Sequence, residues 1–511
     1  MITRSMRKVL FVIVCVGLLF GSLGSAAFGA DRKDTLIVAT RADTNALDPI
    51  ITGSATGANL FLQIYDYLFY QNPDGSISPR LVERWEQPDD KTYIFHLKHG
   101  VKFHNGEPFT AEDAMFTINR GRTSVTATGS NILLSMIEDV KKIDDYTISV
   151  HLKNPFTPFL YVFSEVWGGV VCKKVVEEIG TEAHNRAPIG TGPFKFVKWI
   201  KGDRVILERN DDYHGEKPQF SSLIIRAVPE DSVRVIELES GAVDVAYDVS
   251  VNDFKRVEEN PNLTLLKRKS LRTDFIVFNC SRPPLDNVKV RHAIAKALDV
   301  EGMRQAIYRS EGYVPGGPLP YDMRYSDQSL KAPKQDVEGA KKLLEEAGVK
   351  GLKLTLMTSE SKERVDAATI IQAQLEEIGV KADIQVMEYG AFLDKVDRGE
   401  HDLALGGWGN NLPDPEFALT RLYHSRAINV TNNAFFSNKE FDALLDKGVT
   451  VPEGPEREAV YKEAQKLFLE QMPSLYWAVR GIAAAYGPRV QEFPMHIRGI
   501  YELSKVKLNQ E

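Results

Sequence analysis

Apolar residues are spaced along this chain in two rhythms. Alternation with period two marks strands, and recurrence at three and four residues marks one face of a helix. Thr35–Thr40, TLIVAT, predicts a strand that runs into the polar loop RADTNALDPIITGSATG. The segment FLQIYDYLFYQNPDGSISPRLVERW predicts an aromatic helix, an Asn-Pro-Asp-Gly turn and a second short amphipathic piece. In KTYIFHLKHG, Tyr93, Phe95 and Leu97 share one face of a strand. A helix should start at Thr110, where Asp113 completes a capping-box spacing. Residues 188–209 predict a Gly/Pro turn and a hairpin, and SVRVIELESGAVDVA predicts a helix ended by Gly241 and then a strand.

From about residue 335 the rhythm becomes regular. A helix from Asp336 to Ala347 stops at Gly348, and a strand follows from Leu352 to Met357. A helix from Arg364 to Ile378 stops at Gly379, a strand runs from Val380 to Met387, and a further helix leads to the strand before Trp408. Strands alternating with helices indicate an α/β domain with a largely parallel sheet. Its ligand edge should lie where strands end, which is where Thr358 and Trp408 fall.

The first residues change the picture by placing the protein outside the cytoplasm. Arg4, Arg7 and Lys8 precede an apolar run from Val9 to Phe20 and the small residues GSLGSAAFGA, the pattern of a secretory signal peptide. Cleavage is expected between Ala27 and Ala30, and Cys15, inside the apolar run, argues against a lipid anchor. The whole chain carries a formal charge of −7, and removing this basic leader makes it more acidic. Such a balance disfavours nucleic acid or an anionic membrane surface as partner. Cys172 and Cys280 would remain, either paired in an oxidising compartment or as two buried thiols.

Catalytic signatures are missing from the sequence. There is no G-x-S-x-G elbow, no H-E-x-x-H and no phosphate-binding G-x-x-x-x-G-K-[ST]. GTGPF at Gly190 reads as a structural turn, because Pro193 lacks an N–H donor and no Lys-Ser/Thr follows. His96, His99 and His104 invite a metal reading, yet His96 alternates with apolar neighbours and the other two flank a turn. The pairs Asp89-Asp90, Asp144-Asp145 and Asp211-Asp212 sit where Asp forms turns.

One stretch asks for a ligand. GGWGNNLPDPEF, Gly406 to Phe417, sets a Trp between glycines, offers the neutral amides Asn410 and Asn411, and stiffens into Pro413-Asp414-Pro415. Glycines allow close approach, and prolines remove backbone freedom.

The run LVERWEQPDDKTYIFHLKHGVKFHNGEPFTAEDAMFTI closely resembles the signature segment of the solute-binding proteins of peptide/nickel-type ABC importers, bacterial solute-binding protein family 5. The likeness continues through PIGTGPFKF, NDDYHGEKPQFSSLIIRAVPE, VFNCSRPPLDNVKVRHAIAKALD, YDMRYSD, DVEGAKKLLEEAG and GEHDLALGGWG. It implies an α/β fold of the two-lobed type II periplasmic-binding-protein clamshell, with an extra domain inserted in the first lobe. Residues 31–60, 187–275 and 485–511 would form the core of lobe I, 61–186 the inserted domain and 276–484 lobe II, after a signal peptide at 1–30. It further implies a monomeric periplasmic receptor without cofactor or catalysis. Such a receptor encloses a peptide-like or other small polar ligand and delivers it to inner-membrane ABC permease subunits. A metal-chelate receptor of the same family is the alternative, and an exported hydrolase a more distant one.

The resemblance carries over unevenly to site residues. Where peptide-binding members place an Asp for the ligand's α-ammonium, this chain has Asn411, and where dipeptide binders place an Arg for the carboxylate, it has Thr358. Tyr389 matches a ligand-lining aromatic, Trp408 the strand-end Trp, and Thr52, Gly53 and Ser54 fall on a first-lobe loop that contacts ligand. Trp408 and Tyr389 also read as core aromatics, and Thr52 to Ser54 as a plain turn. Lys362 and Arg364 offer a substitute cation or simply a solvated helix start. With both clamp positions neutral, the expected ligand lacks a bare terminus beside Asn411.

Overall fold

The computed structural model describes residues 32–124, 130–309 and 311–509. The expected signal peptide, its cleavage site between Ala27 and Ala30, and Cys15 lie outside the described residues. One ten-stranded sheet organises the chain. Its strands run in the order Lys381–Met387, Lys353–Ser359, Leu403–Gly409, Thr264–Phe278, Ser474–Tyr486, Val245–Tyr247, Thr35–Thr40, Ser222–Ala227, Arg204–Arg209 and Phe194–Ile200.

The sheet as a whole is mixed, while the strands of the 335–409 region, Lys381–Met387, Lys353–Ser359 and Leu403–Gly409, run parallel as expected. Parallel pairing is confined to Thr35–Thr40 with its two neighbours and to Lys353–Ser359 with its two. The remaining pairs are antiparallel, because Thr264–Phe278 and Ser474–Tyr486 are long strands paired head to tail. These two strands make the molecule two-lobed. One end of the pair, Thr264–Lys269 against Gly481–Tyr486, joins Val245–Tyr247; the other end, Thr273–Val277 against Ser474–Val479, joins Leu403–Gly409. The register shifts between Lys269 and Thr273 and again between Asp274 and Phe275. A register break frees backbone from the ladder and lets strands bend there.

Residues 336–409 follow the predicted rhythm closely. Helix Val337–Glu346 is capped by the Asp336 side chain, which accepts from the Gly339 N–H at 2.8 Å. It ends at Gly348, and helix Lys362–Glu376 ends at Gly379; these glycines have φ of +70° and +76°, which a side chain would oppose. The hairpin Phe194–Ile200/Arg204–Arg209 and the helix–strand pair Asp231–Glu239/Val245–Tyr247 also stand where expected. Asp113 accepts from the Thr110 N–H at 3.0 Å, closing the capping box ahead of Ala111–Thr123.

The aromatic helix needs correction. It ends at Ile64, and Phe69–Gln71 is a strand paired with Ile77–Pro79 across the turn. Tyr65 to Gln71 are all buried, so the run has no polar face by which periodicity could separate helix from strand. The piece after the turn gives strands too, and Val82–Glu86, Thr92–Leu97, Thr147–Leu152 and Ile137–Asp144 form a separate antiparallel sheet. Tyr93, Phe95 and Leu97 point into its core with Phe159 and Phe163. Leu412 and Phe417, from the far end of the Gly406–Phe417 stretch, pack into this same core. Among the described residues no helix is long and apolar enough to cross a membrane.

Candidate ligand cleft between the lobes

Two adjoining cavities lie where the lobes meet. The larger, about 640 Å³, is walled on one side by Arg41, Tyr247, Asp248 and Asn252 and on the other by Tyr308, Lys362, Asn411 and Arg480. The second, about 440 Å³, runs into lobe II beneath Tyr389 and Trp408 and is walled by Phe275, Phe392, Leu393 and Val396. Arg272 and Gly409 line both. The volumes are those of small-ligand sites.

Glycines in strand Leu403–Gly409 bring backbone to this wall. A Cβ on Gly406 would lie 2.5 Å from the Phe275 ring, and one on Gly407 would lie 2.8 Å from Asp274 Oδ1 and 3.3 Å from Arg364 Nη2. A side chain at either position would force these neighbours to shift. After the strand, Asn410 Nδ2 donates to the Leu271 carbonyl at 2.6 Å, while its Oδ1 is buried without a hydrogen-bond partner among the described residues. Asn411 is exposed and faces the larger cavity. Asp414 is fully buried and bound by both Arg457 nitrogens, at 2.6 and 2.9 Å, so it presents no charge to a ligand.

Charge in the cleft is unevenly matched. Asp274, almost fully buried, receives Arg480 Nη2 at 2.9 Å and the Tyr308 hydroxyl at 2.9 Å. Arg364 has no carboxylate in ion-pair contact among the described residues. Its Nη1 donates to Ser359 Oγ at 3.2 Å, and its guanidinium lies 5.9 Å from the Tyr389 ring centre and 5.8 Å from that of Phe392. Burial pushes this arginine below its ordinary range, while the Asp274 charge works against the shift. On the facing wall, Asp248 has a φ of +51°, uncommon for a residue with a side chain, and its carboxylate pairs with no cation among the described residues. The other acids of the larger cavity are engaged: Asp231 by Arg234 at 2.6 Å, Asp366 by Lys362 at 2.7 Å, Glu311 by Lys267 at 3.3 Å, and Glu363 by the Ser361 hydroxyl at 2.7 Å.

Of the residues singled out from sequence, the structure gathers Trp408, Tyr389 and Asn411 at the cavities. The Trp408 indole also donates to the Phe417 carbonyl at 3.2 Å, which ties it to the loop behind it. It does not bring Thr358, Thr52, Gly53 or Ser54 to these walls. Thr358 is fully buried with its hydroxyl on the Ser359 carbonyl at 3.3 Å. The Thr52 hydroxyl accepts from the Ser54 N–H, and Ser54 caps helix Ala55–Ile64 by accepting from the Gly57 N–H at 3.1 Å. Lys362, solvated and paired with Asp366, stands at the rim of the larger cavity, whereas Arg364 lines the second.

Asp274, Arg272, Arg480 and Tyr308 were not singled out. The signal was present in LRTDFIVF, where opposite charges interrupt a strand that is otherwise apolar. Cys172 and Cys280 are unpaired thiols, and burial pushes Cys280 up to about 11. The three histidines do not converge. His96 binds Glu86 at 2.9 Å, His99 stacks on Tyr146, and His104 binds the Gly192 carbonyl at 3.1 Å. Among the described residues no group of three or more His, Cys, Asp or Glu is placed to hold a metal ion. In GTGPF, the Gly192 N–H donates to the Ile64 carbonyl at 2.9 Å, closing the end of helix Ala55–Ile64.

The family model for bacterial extracellular solute-binding proteins, family 5 middle, matches residues 76–429, well over half of the sequence. The chain belongs to this family, whose members are binding proteins rather than enzymes. A curated relative, di/tripeptide-binding protein 4 of Pseudomonas aeruginosa, is 30% identical over 88% of this chain and 91% of its own length. A solved structure of an ABC transporter-associated periplasmic binding protein of Helicobacter pylori, in complex with the peptide STSA, is 28% identical. It covers 93% of this chain and 98% of that one, with a TM-score of 0.81. The Campylobacter jejuni protein NikZ, in complex with Ni(L-His), is 25% identical and covers 91% of this chain and 96% of that one, with a TM-score of 0.77.

Proposed function

We propose that this chain is an exported, monomeric periplasmic receptor that captures a peptide-like or other small polar ligand between its lobes and hands it to an ABC importer permease. The observation that carries this reading is the cavity walled from both lobes, Tyr247 and Asp248 on one side and Tyr308, Asn411 and Arg480 on the other. A ligand there touches both walls only when they are close, so its binding energy favours the closed arrangement. The Gly406–Phe417 stretch extends the coupling, since it meets the cleft at Gly407 and Asn411 and the separate sheet's core at Leu412 and Phe417.

The peptide-like reading draws support from the di/tripeptide-binding relative and the STSA complex, the chelate reading from NikZ. Of the residues singled out from sequence, Trp408, Tyr389 and Asn411 are the ones we assign to ligand contact. Small-angle scattering with and without a bound dipeptide or dipeptide derivative tests closure. The bound form should be more compact and more stable to heat, by about 2.7 kcal/mol at a hundredfold excess over Kd. An unchanged radius of gyration at saturation would refute capture between moving lobes, and sustained product release would refute a receptor.

A further inference from the structure

We infer that Arg364 is the anion clamp of the cleft, and that the ligand is an organic acid whose apolar body fills the lobe II pocket while its carboxylate meets this guanidinium. The inference rests on the receptor reading and adds the chemical class of the ligand.

Three observations carry it. Arg364 lines the 440 Å³ pocket beside Tyr389 and Phe392, with the Ser359 hydroxyl as its hydrogen-bond acceptor and no carboxylate in ion-pair contact among the described residues. An enclosed guanidinium without a counter-ion is costly, and a planar fork of donors matches a carboxylate. Asp274, the acid whose charge acts on it, is shared with Arg480 and Tyr308 and so offsets the Arg364 charge only in part. Arg272, which lines both cavities, also lacks an ion pair among the described residues, so this wall is cationic in a chain whose formal charge is −7.

The rest of the pocket selects an apolar body. Phe275, Val277, Phe392, Leu393 and Leu422 wall it. Asp397, at the wall of the same pocket, is raised by burial and held by a hydrogen bond to Asn433. Tyr389, 52% exposed at the mouth, offers a ring face to ligand and guanidinium together.

Matched pairs of probes test the inference: N-acetyl dipeptides ending in Phe or Leu, each as the free acid and as the C-terminal amide. Calorimetry on the wild type should show at least one acid binding about thirtyfold or more tighter than its amide. Arg364→Gln should abolish that ratio by weakening the acid alone, and Arg364→Lys should restore part of it. The melting temperature of ligand-free Arg364→Gln should equal or exceed that of the wild type, because a desolvated charge has been removed; a merely structural arginine would give a clear loss. Equal binding of acids and amides, or an acid preference that survives Arg364→Gln, would overturn the clamp while leaving the receptor standing. Probes that bind only as amides would also overturn it. Failure of every acid and amide to bind would overturn the clamp as stated, and only that outcome combined with no ligand recovered from the purified protein would count against the receptor.

Discussion

The two ends of the Gly406–Phe417 stretch treat charge in opposite ways. At the far end Asp414 and Arg457 have no exposed side-chain surface and are bound to each other through two hydrogen bonds. At the near end Gly407 lies under Arg364, a guanidinium without a carboxylate partner among the described residues. Both arginines cost desolvation; only Arg457 recovers it within the protein. The lesson is that a matched buried pair belongs to the scaffold, whereas an unmatched charge on a cavity wall is held for something that arrives.

Removing a partner from the matched end gives the largest effect. Asp414→Ala leaves Arg457 buried with Glu453, at 3.1 Å, as its one remaining carboxylate among the described residues, and should destabilise the fold by about 3 to 5 kcal/mol, read by denaturant unfolding. A loss below about 1 kcal/mol would erase the contrast with Arg364.

Glu416, two residues on, sharpens the comparison through pH. Burial raises its carboxyl to about 7 from 4.5, against the opposing bond from the Thr420 hydroxyl. Between those values it is protonated in the fold and ionised in the unfolded chain. Its contribution to stability is therefore fully present below pH 4.5 and lost as pH rises through 7. Glu416→Gln should stabilise the protein by about 3 kcal/mol at pH 8 and by less than about 1 kcal/mol at pH 5. Equal effects at both pH values would show that Glu416 titrates normally.

The smallest effect is expected at the cleft face. Asn411→Asp adds a carboxylate to a wall that we assign to an anionic ligand, and should weaken a bound N-acetyl dipeptide acid by about 1 kcal/mol, with little change in melting temperature. Tighter binding of the acid by this variant would mean that the cleft is short of negative charge instead.

Much of this architecture was legible in the sequence where each element has one apolar face. The helices and strands of 336–409 stand within a few residues of their predicted bounds, because Asp336 caps, Gly348 and Gly379 stop, and the apolar periods agree. Legibility failed at two segments, one wholly buried and one that passes from exposed to buried along its length. Tyr65–Gln71 shows no polar face, and the strand Thr264–Phe278 mixes Lys, Arg and apolar residues because its two ends serve different lobes. The site divides in the same way. Trp408 and Asn411 follow from a Gly-flanked loop at a strand end, but Arg364 differs from its solvated neighbour Lys362 only in which way it faces, and that direction is set by Ser359, Tyr389 and Phe392. Thr358 stands in the chain where a cation was sought, yet its side chain is sealed in the sheet.

Mass spectrometry of whatever the native, purified protein releases on denaturation tests capture most directly, followed by rebinding of the released molecule to refolded protein. One small carboxylic acid per chain, released chemically unaltered and rebinding with a decrease in radius of gyration, is the expected result. A released molecule that carries no acid group would contradict the Arg364 assignment, and one that refolded protein converts rather than rebinds would contradict the receptor itself.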